Sequence, residues 1–206
     1  MAGRTMNDFS PLRALALCAA LALAACNPAK APADPATAPL AGARIGAPFT
    51  LTGPDGKPVR DSDFAGKYRI VYFGYTFCPD VCPVDVQHLM AGLKLFEKAH
   101  PAEGAKVQPL FITVDPARDT PAVVAQFTAN FHPRLIGLTG DVPTITALAK
   151  AYGVFFKIEP SADPRAYLVS HSRQAYLMGP QGEPIMLLSQ DGKPQAIADE
   201  LAAWVR

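Results

Sequence analysis

The sequence is short of the features that mark nucleic-acid-binding and membrane-spanning chains. Charged side chains make up 18% of its 206 residues, and 19 basic groups against 18 acidic ones leave a formal net charge of +1. No basic patch or run of like charge stands out, which argues against a nucleic-acid partner. The longest apolar stretch, Ala14 to Ala25, falls short of the roughly 20 residues that a spanning helix needs. Tryptophan occurs once, and cysteine and histidine four times each. Such scarcity leaves room for one ligand cluster. No internal repeat is visible. Half of the residues are apolar, as expected of a globular chain with a substantial core.

The first residues read as an export signal. Arg4 and Arg13 precede the apolar stretch, which ends in Leu23-Ala24-Ala25-Cys26. A basic head, a short apolar segment and small residues at its end define a cleavable signal peptide, here 1–25. Leu-Ala-Ala-Cys resembles the bacterial lipobox, in which the cysteine is lipidated and becomes the first residue. On this reading Cys18 leaves with the signal and Cys26 carries lipid, so Cys78 and Cys82 are the two free thiols, in an oxidising compartment. A retained amino-terminal anchor is the alternative. Residues 26–43 are mostly Ala and Pro, with Pro28, Pro32, Pro35 and Pro39 spaced through them. This composition predicts an extended linker at about 3.1 Å per residue.

From Arg44 to Arg206 strand and helix signals alternate. Phe49-Thr50-Leu51 and Val59 flank the turn signal Gly53-Pro54-Asp55-Gly56, which predicts a hairpin. Arg69–Tyr75 is a β-branched and aromatic run expected of a buried strand, and Val107–Val114 reads as a second. Leu135–Leu138, Ala166–Val169, Gln174–Met178 and Ile185–Leu188 also read as extended. Helices are expected over Pro83–Lys98, Pro121–Phe131, Pro143–Tyr152 and Pro194–Val205. This alternation predicts an α/β domain over 44–206 with a mainly parallel sheet.

The chemistry concentrates in Gly74-Tyr75-Thr76-Phe77-Cys78-Pro79-Asp80-Val81-Cys82-Pro83, where a strand gives way to a helix. Backbone N–H groups at a helix start favour thiolate, the species that binds metals and exchanges disulfides. Residues four apart share a helix face with Cα atoms roughly 6 Å apart, within reach of a disulfide or of one shared ion. A structural disulfide would close a very short loop and stabilise little. Among the histidines, His88 and His100 are expected to face solvent, His132 to lie on the surface of a turn, and His171 to precede a late strand.

Three ordered blocks resemble the Sco/SenC family of copper chaperones for cytochrome c oxidase. They are Gly74 to Pro83, Asp115-Pro116-Ala117-Arg118-Asp119-Thr120-Pro121, and His171 ahead of Tyr176-Leu177-Met178-Gly179-Pro180. The resemblance runs from about Gly46 to the end. It implies a thioredoxin-like fold, with a central mixed sheet, helices on both faces and an N-terminal hairpin. It also implies one copper ion per chain, as copper(I) or copper(II), held by Cys78, Cys82 and His171. The implied partner is the copper-bearing subunit of cytochrome c oxidase or another periplasmic copper chaperone. The implied location is the periplasmic face of the bacterial cytoplasmic membrane, through the lipid on Cys26. The family often has an acidic residue before the histidine, whereas this chain has Ser170. Soft thiolates with one imidazole suit copper, while structural zinc normally takes four protein ligands. Asp115, Arg118 and Asp119 either position the cysteine loop or form a capped helix start with a surface ion pair.

Other readings compete. A thiol–disulfide oxidoreductase would use Cys78 and Cys82 as a redox pair. The usual motif is Cys-x-x-Cys, commonly after Trp, whereas the spacing here is one residue longer and the one tryptophan is Trp204. A peroxiredoxin wants a Thr three positions before its thiol, and Thr76 is two before Cys78. A structural module would leave a thiol pair at a helix start unexplained.

Overall fold

The computed structural model describes residues 34–163 and 165–206. The signal peptide, Cys26 and the first part of the linker lie outside the described residues. In chain order the elements are β1 (Thr50–Thr52), β2 (Pro58–Arg60), β3 (Tyr68–Gly74), α1 (Val81–Ala99), α2 (Pro101–Gly104) and β4 (Val107–Thr113). There follow α3 (Pro121–Ala129), β5 (Ile136–Leu138), α4 (Val142–Ala151), β6 (Phe156–Glu159), β7 (Leu168–His171), β8 (Ala175–Met178), β9 (Pro184–Leu188) and α5 (Pro194–Trp204). Among the described residues no helix is long and apolar enough to cross a membrane.

The central sheet has the order β5-β4-β3-β8-β9 and is mixed. β3 pairs parallel with β4 and antiparallel with β8. Residues Arg69 to Gly74 are buried, which explains the apolar run Ile70 to Phe73. Alternation along β3 separates the two faces of the sheet. On one face Tyr72 lies opposite Phe111 of β4, whose ring stacks 5.0 Å from Phe127 of α3. The Tyr72 hydroxyl reaches Asp85 of α1 on that same face. On the other face Phe73 stacks 5.2 Å from Tyr152, just after α4. Helices therefore cover both faces. Gly137 of β5 lies opposite Phe111, and a Cβ there would come within 2.4 Å of Val124, so the absent side chain lets α3 seat on the sheet.

The topology gathers three segments at one end. In parallel register Gly74 stands beside Thr113, so the cysteine loop and the Asp115–Thr120 loop leave the sheet together. β8 runs the opposite way with Ala175 opposite Tyr72, which brings the segment around His171 to that end as well. Sites at the carboxyl ends of parallel strands are a general consequence of this architecture.

Several sequence expectations need adjustment. The expected hairpin is β1–β2, with Gly56 at a φ of 78° in its turn. α1 begins at Val81 rather than Pro83, so Cys82 is helical and Pro83 sits in a first turn whose N–H groups have no intrahelical partner anyway. β6 was not anticipated: Phe-Lys-Ile-Glu is short and half charged, and it pairs antiparallel with β7 in a separate two-stranded hairpin. The second part of the linker is folded on the domain. Ala38 is buried, and the Leu40 N–H donates to Ile185 O at 2.9 Å.

His132 is also not a surface residue. It is 3% exposed, and its Nε2 lies 3.2 Å from one oxygen of the Glu97 carboxylate, whose other oxygen pairs with Arg134. Its Nδ1 accepts the Arg134 N–H at 3.1 Å. Two partners supply what solvent would have supplied at the expected surface turn. Burial pushes the ring's pKa down, with Glu97 opposing and Arg134 and Lys94 assisting. A folded-state value below the unfolded one contributes stability that is complete above the unfolded value and is lost as pH falls through the folded one. The urea midpoint of the wild type should therefore exceed that of His132→Gln most at about pH 7, and the gap should shrink below about pH 6. Parallel midpoint curves across that range would contradict the assignment.

Candidate metal centre

The cysteine loop is pinned by one carboxylate. Asp119 is fully buried and accepts hydrogen bonds from the Thr76 N–H at 3.0 Å and from the hydroxyls of Thr76 and Thr113. Burial raises its pKa, and the three donors oppose that rise. Of the two roles considered for this carboxylate, loop positioning is the one observed. Downstream of Thr76 the Cys78 N–H donates to Tyr75 O, and the Cys82 N–H donates to Cys78 Sγ at 3.4 Å. The Cys78 sulfur thus takes one of the N–H groups that the helix start leaves free.

His171 ends β7 and turns its ring to the sulfurs. Its Nε2 lies 3.0 Å from Cys82 Sγ, and its Nδ1 lies 2.8 Å from Ser172 O. A carbonyl can only accept, so Nδ1 carries a proton and Nε2 is the ring nitrogen turned to Cys82. Tyr72 and Tyr75 meet the ring edge-on at 6.4 and 5.9 Å. Ser170, where the family often has an acid, is exposed and lies opposite Lys157 in the hairpin. Neighbouring strand residues point to opposite faces, so the ring is oriented here by the Ser172 carbonyl rather than by residue 170.

The two thiols differ. Cys78 is half-buried and Cys82 buried, and both are free. The hydrogen bond from Cys82 holds the Cys78 pKa far below its ordinary value; burial opposes this, and His171 adds a smaller lowering. The same hydrogen bond, together with burial, pushes Cys82 up. Cys78 is therefore the more acidic sulfur of the pair. Two sulfurs and an imidazole lone pair form a soft donor set that suits copper. Among the described residues no three such side chains already form a closed cage. Cys82 Sγ and His171 Nε2 are in contact, and Cys78 Sγ, in the loop just before α1, accepts the Cys82 N–H.

Sequence reasoning missed the network behind the sulfurs. Asp85, fully buried, accepts from the Tyr72 hydroxyl at 2.8 Å and from Arg173 Nε and Nη2 at 3.0 and 2.6 Å. Burial first, then the nearby Cys82 and Asp85, raises the Tyr72 pKa and keeps the phenol protonated. The available signal was an aspartate at a position of α1 that its apolar spacing assigns to the core, next to Val86. Asp115 is buried as well. It pairs with Arg118 Nε at 2.6 Å and accepts from the Tyr167 hydroxyl at 2.6 Å, so it is no surface ion pair.

The sequence matches the SCO1/SenC family over residues 37–206. SenC of Rhodobacter capsulatus is 42% identical over 165 residues, covering 80% of this chain and 72% of that protein. The mouse mitochondrial SCO1 homolog is 36% identical over 162 residues, covering 79% of this chain and 56% of that protein. The chain thus spans little more than half of this mitochondrial relative. Among solved structures, Arabidopsis thaliana ScoI with copper bound is 37% identical with a TM-score of 0.71, over 76% of this chain and 95% of that one. BsSco, a member of the Sco family of cytochrome c oxidase assembly proteins with an identified disulfide switch, is 25% identical with a TM-score of 0.61, over 78% of this chain and 94% of that one. The thioredoxin-like α/β architecture expected from the sequence is the one observed.

The unequal thiols give a direct test. In reduced, metal-free protein at about pH 6, iodoacetamide should modify Cys78 well before Cys82, because only the thiolate is nucleophilic. The Cys78 rate should stay nearly flat between about pH 5 and pH 8. Peptide mapping that found equal labelling, or a rate rising roughly tenfold per pH unit, would remove the asymmetry from the site.

Proposed function

Because the chain belongs to the SCO1/SenC family, we propose that it is a copper metallochaperone that delivers copper to, or prepares, the binuclear copper site of cytochrome c oxidase. The contact of Cys82 Sγ with His171 Nε2 at 3.0 Å, with Cys78 in the same helix start, carries the reading. Copper is the cargo, one ion per chain, with Cys78, Cys82 and His171 as its ligands.

The three donors divide the work. Cys78 is a thiolate before any metal arrives, so it makes the first bond without losing a proton. Cys82 is a thiol, and its ligation releases a proton, which makes loading pH-dependent. His171 presents Nε2 because Ser172 O holds the proton on Nδ1. Copper(I) is satisfied by the two sulfurs, whereas copper(II) also calls on the nitrogen. Half-exposed Cys78 is where an incoming partner thiolate has access. The partner is the copper-bearing oxidase subunit or another periplasmic copper chaperone.

A second reading is favoured by one observation. A half-exposed thiolate one turn before a buried thiol is also what disulfide exchange uses, with Cys78 attacking and Cys82 resolving. His171 separates the two, since exchange requires no imidazole ligand. The reduced protein should bind one copper, and Cys78→Ser or Cys82→Ser should abolish tight binding. His171→Ala should weaken copper(II) by more than the roughly 10- to 100-fold that loss of an outer-shell partner costs, and copper(I) far less. The Cys78–Cys82 disulfide should still form in that variant. At low copper, in cells lacking the native protein, His171→Ala should not restore oxidase activity. Full rescue by His171→Ala together with none by Cys82→Ser would establish thiol reduction as the role.

The proposed location is the periplasmic face of the cytoplasmic membrane, with Cys26 lipidated. Leu23-Ala24-Ala25-Cys26 supports this. Mature protein should begin at acylated Cys26 and partition with membranes, and Cys26→Ala should block processing. Mass spectrometry that found membrane protein starting at Met1 or Met6 would show a retained anchor instead.

A further inference from the structure

The nitrogen and sulfur donors sit on separate bodies. Cys78 and Cys82 belong to the loop and helix that follow β3 in the main sheet, whereas His171 ends the β6–β7 hairpin, a two-stranded sheet of its own. The hairpin is loosely seated. Ile158 and Leu168 are 53% and 51% exposed, and a cavity of about 40 Å³ lies where Phe156 and Ile158 meet Ile145 and Val142. Its buried apolar anchor is Val169, with Phe156 partly buried. Polar ties therefore carry much of the task of holding His171 over the sulfurs.

One side chain spans the gap. Arg118 pairs with buried Asp115 through Nε at 2.6 Å and donates from Nη1 to Arg165 O at 3.2 Å, on the approach to β7. Its guanidinium lies 3.5 Å from the Tyr167 ring centroid, immediately before β7, and 4.9 Å from that of Phe77 in the cysteine loop. Tyr167 in turn donates its hydroxyl to Asp115 at 2.6 Å. Nη2 is buried and finds no protein acceptor. An unsatisfied donor is costly, so the stack and the carboxylate pair outweigh it in fixing the group. Planarity is what this position uses. A lysine would keep the charge but lose both the stack and the fork.

We propose that Arg118 is a positioning residue for His171: wedged between Tyr167 and Phe77, it fixes the hairpin against the cysteine loop and sets the nitrogen-to-sulfur distance. It acts on the nitrogen ligand and leaves the sulfur pair alone. The role rests on the copper reading for its metal readout and on the hairpin geometry for the rest.

The test uses the full chain in detergent, titrated with copper(II) against a competing chelator and examined by electron paramagnetic resonance. Arg118→Ala should lose about 10- to 100-fold in copper(II) affinity and weaken the nitrogen hyperfine coupling. Copper(I) affinity and Cys78–Cys82 disulfide formation should be unchanged. Arg118→Lys should behave like Arg118→Ala, while Tyr167→Phe, which keeps the stack, should retain most of the affinity. In a His171→Ala background, Arg118→Ala should cost nothing further, because the residue it positions is gone. An equal loss in both backgrounds, or full binding by Arg118→Lys, would overturn the proposal. Should Arg118→Ala not fold, Arg118→Lys in the two backgrounds decides. Should the wild type take up no copper, the proposed function fails, and hydrogen exchange in the metal-free protein still tests the wedge. Leu168–His171 amides should then exchange faster in Arg118→Lys than in wild type, with α1 amides unchanged. Identical exchange in β7 would refute it.

Discussion

Asp119 holds the working end of the molecule together. β3 and β4 end side by side, and each sends a threonine to this one carboxylate, Thr76 from the loop after β3 and Thr113 from the end of β4. Three donors in a buried setting fix Thr76, near the start of the cysteine loop, to the strand beside it. From Thr76 the chain has one residue before Cys78, so the thiol's place follows from the threonine's. A buried carboxylate is expensive to keep charged, and burial raises its pKa. What the molecule gains in return is a loop whose start has no freedom to move relative to the sheet.

The same device recurs around the site. Asp85 collects Tyr72 and Arg173, and Asp115 collects Arg118 and Tyr167. Each carboxylate is buried, and each joins a segment of the main sheet or its helices to the segment that carries His171. Polar groups of this kind contribute little net stability compared with apolar replacements, but a partner left alone is heavily penalised. Their value is positional. The Tyr72–Asp85–Arg173 chain ties the end of the hairpin to α1, and the Asp115–Arg118–Tyr167 cluster ties its approach to the cysteine loop.

Much of this was legible in the sequence, and the remainder was hidden for physical reasons. Arg69–Tyr75 reads as a buried strand because β-branched and aromatic residues follow Arg69 almost without a break, and Gly53-Pro54-Asp55-Gly56 reads as a turn because Gly, Pro and Asp suit the backbone there. Cys78 and Cys82 are legible because four-residue spacing at a helix start has few other uses. His171 was found through family resemblance, since nothing in its neighbours distinguishes it from His132. The burial of His132 depends on Glu97, 35 residues away, and no local pattern encodes such a pairing. β6 was missed because the apolar–charged alternation of Phe-Lys-Ile-Glu runs for only four residues, and its pairing is with β7 alone. Asp85 and Arg173 lie 88 residues apart and become partners only when β8 folds back along β3.

The orientation of His171 bears on how tightly a nitrogen ligand is held. A carboxylate on the outer ring nitrogen makes the imidazole a stronger donor, whereas a backbone carbonyl polarises it less. Here the acceptor is the Ser172 carbonyl, and the side chain at position 170 is exposed in a strand whose neighbouring residues point to opposite faces. The ring is thereby fixed in tautomer without being strengthened by a full negative charge. In the proposed reading this separates two demands on a carrier. The sulfurs, on a loop pinned by Asp119 and a helix packed on the sheet, grip a soft ion in either half of a transfer. The nitrogen, a moderate donor on a hairpin held by a few polar ties, supplies the third bond when the ion needs it and is the bond most readily given up. A carrier must bind and also release, and placing the weakest ligand on the least anchored element meets both requirements with one architecture.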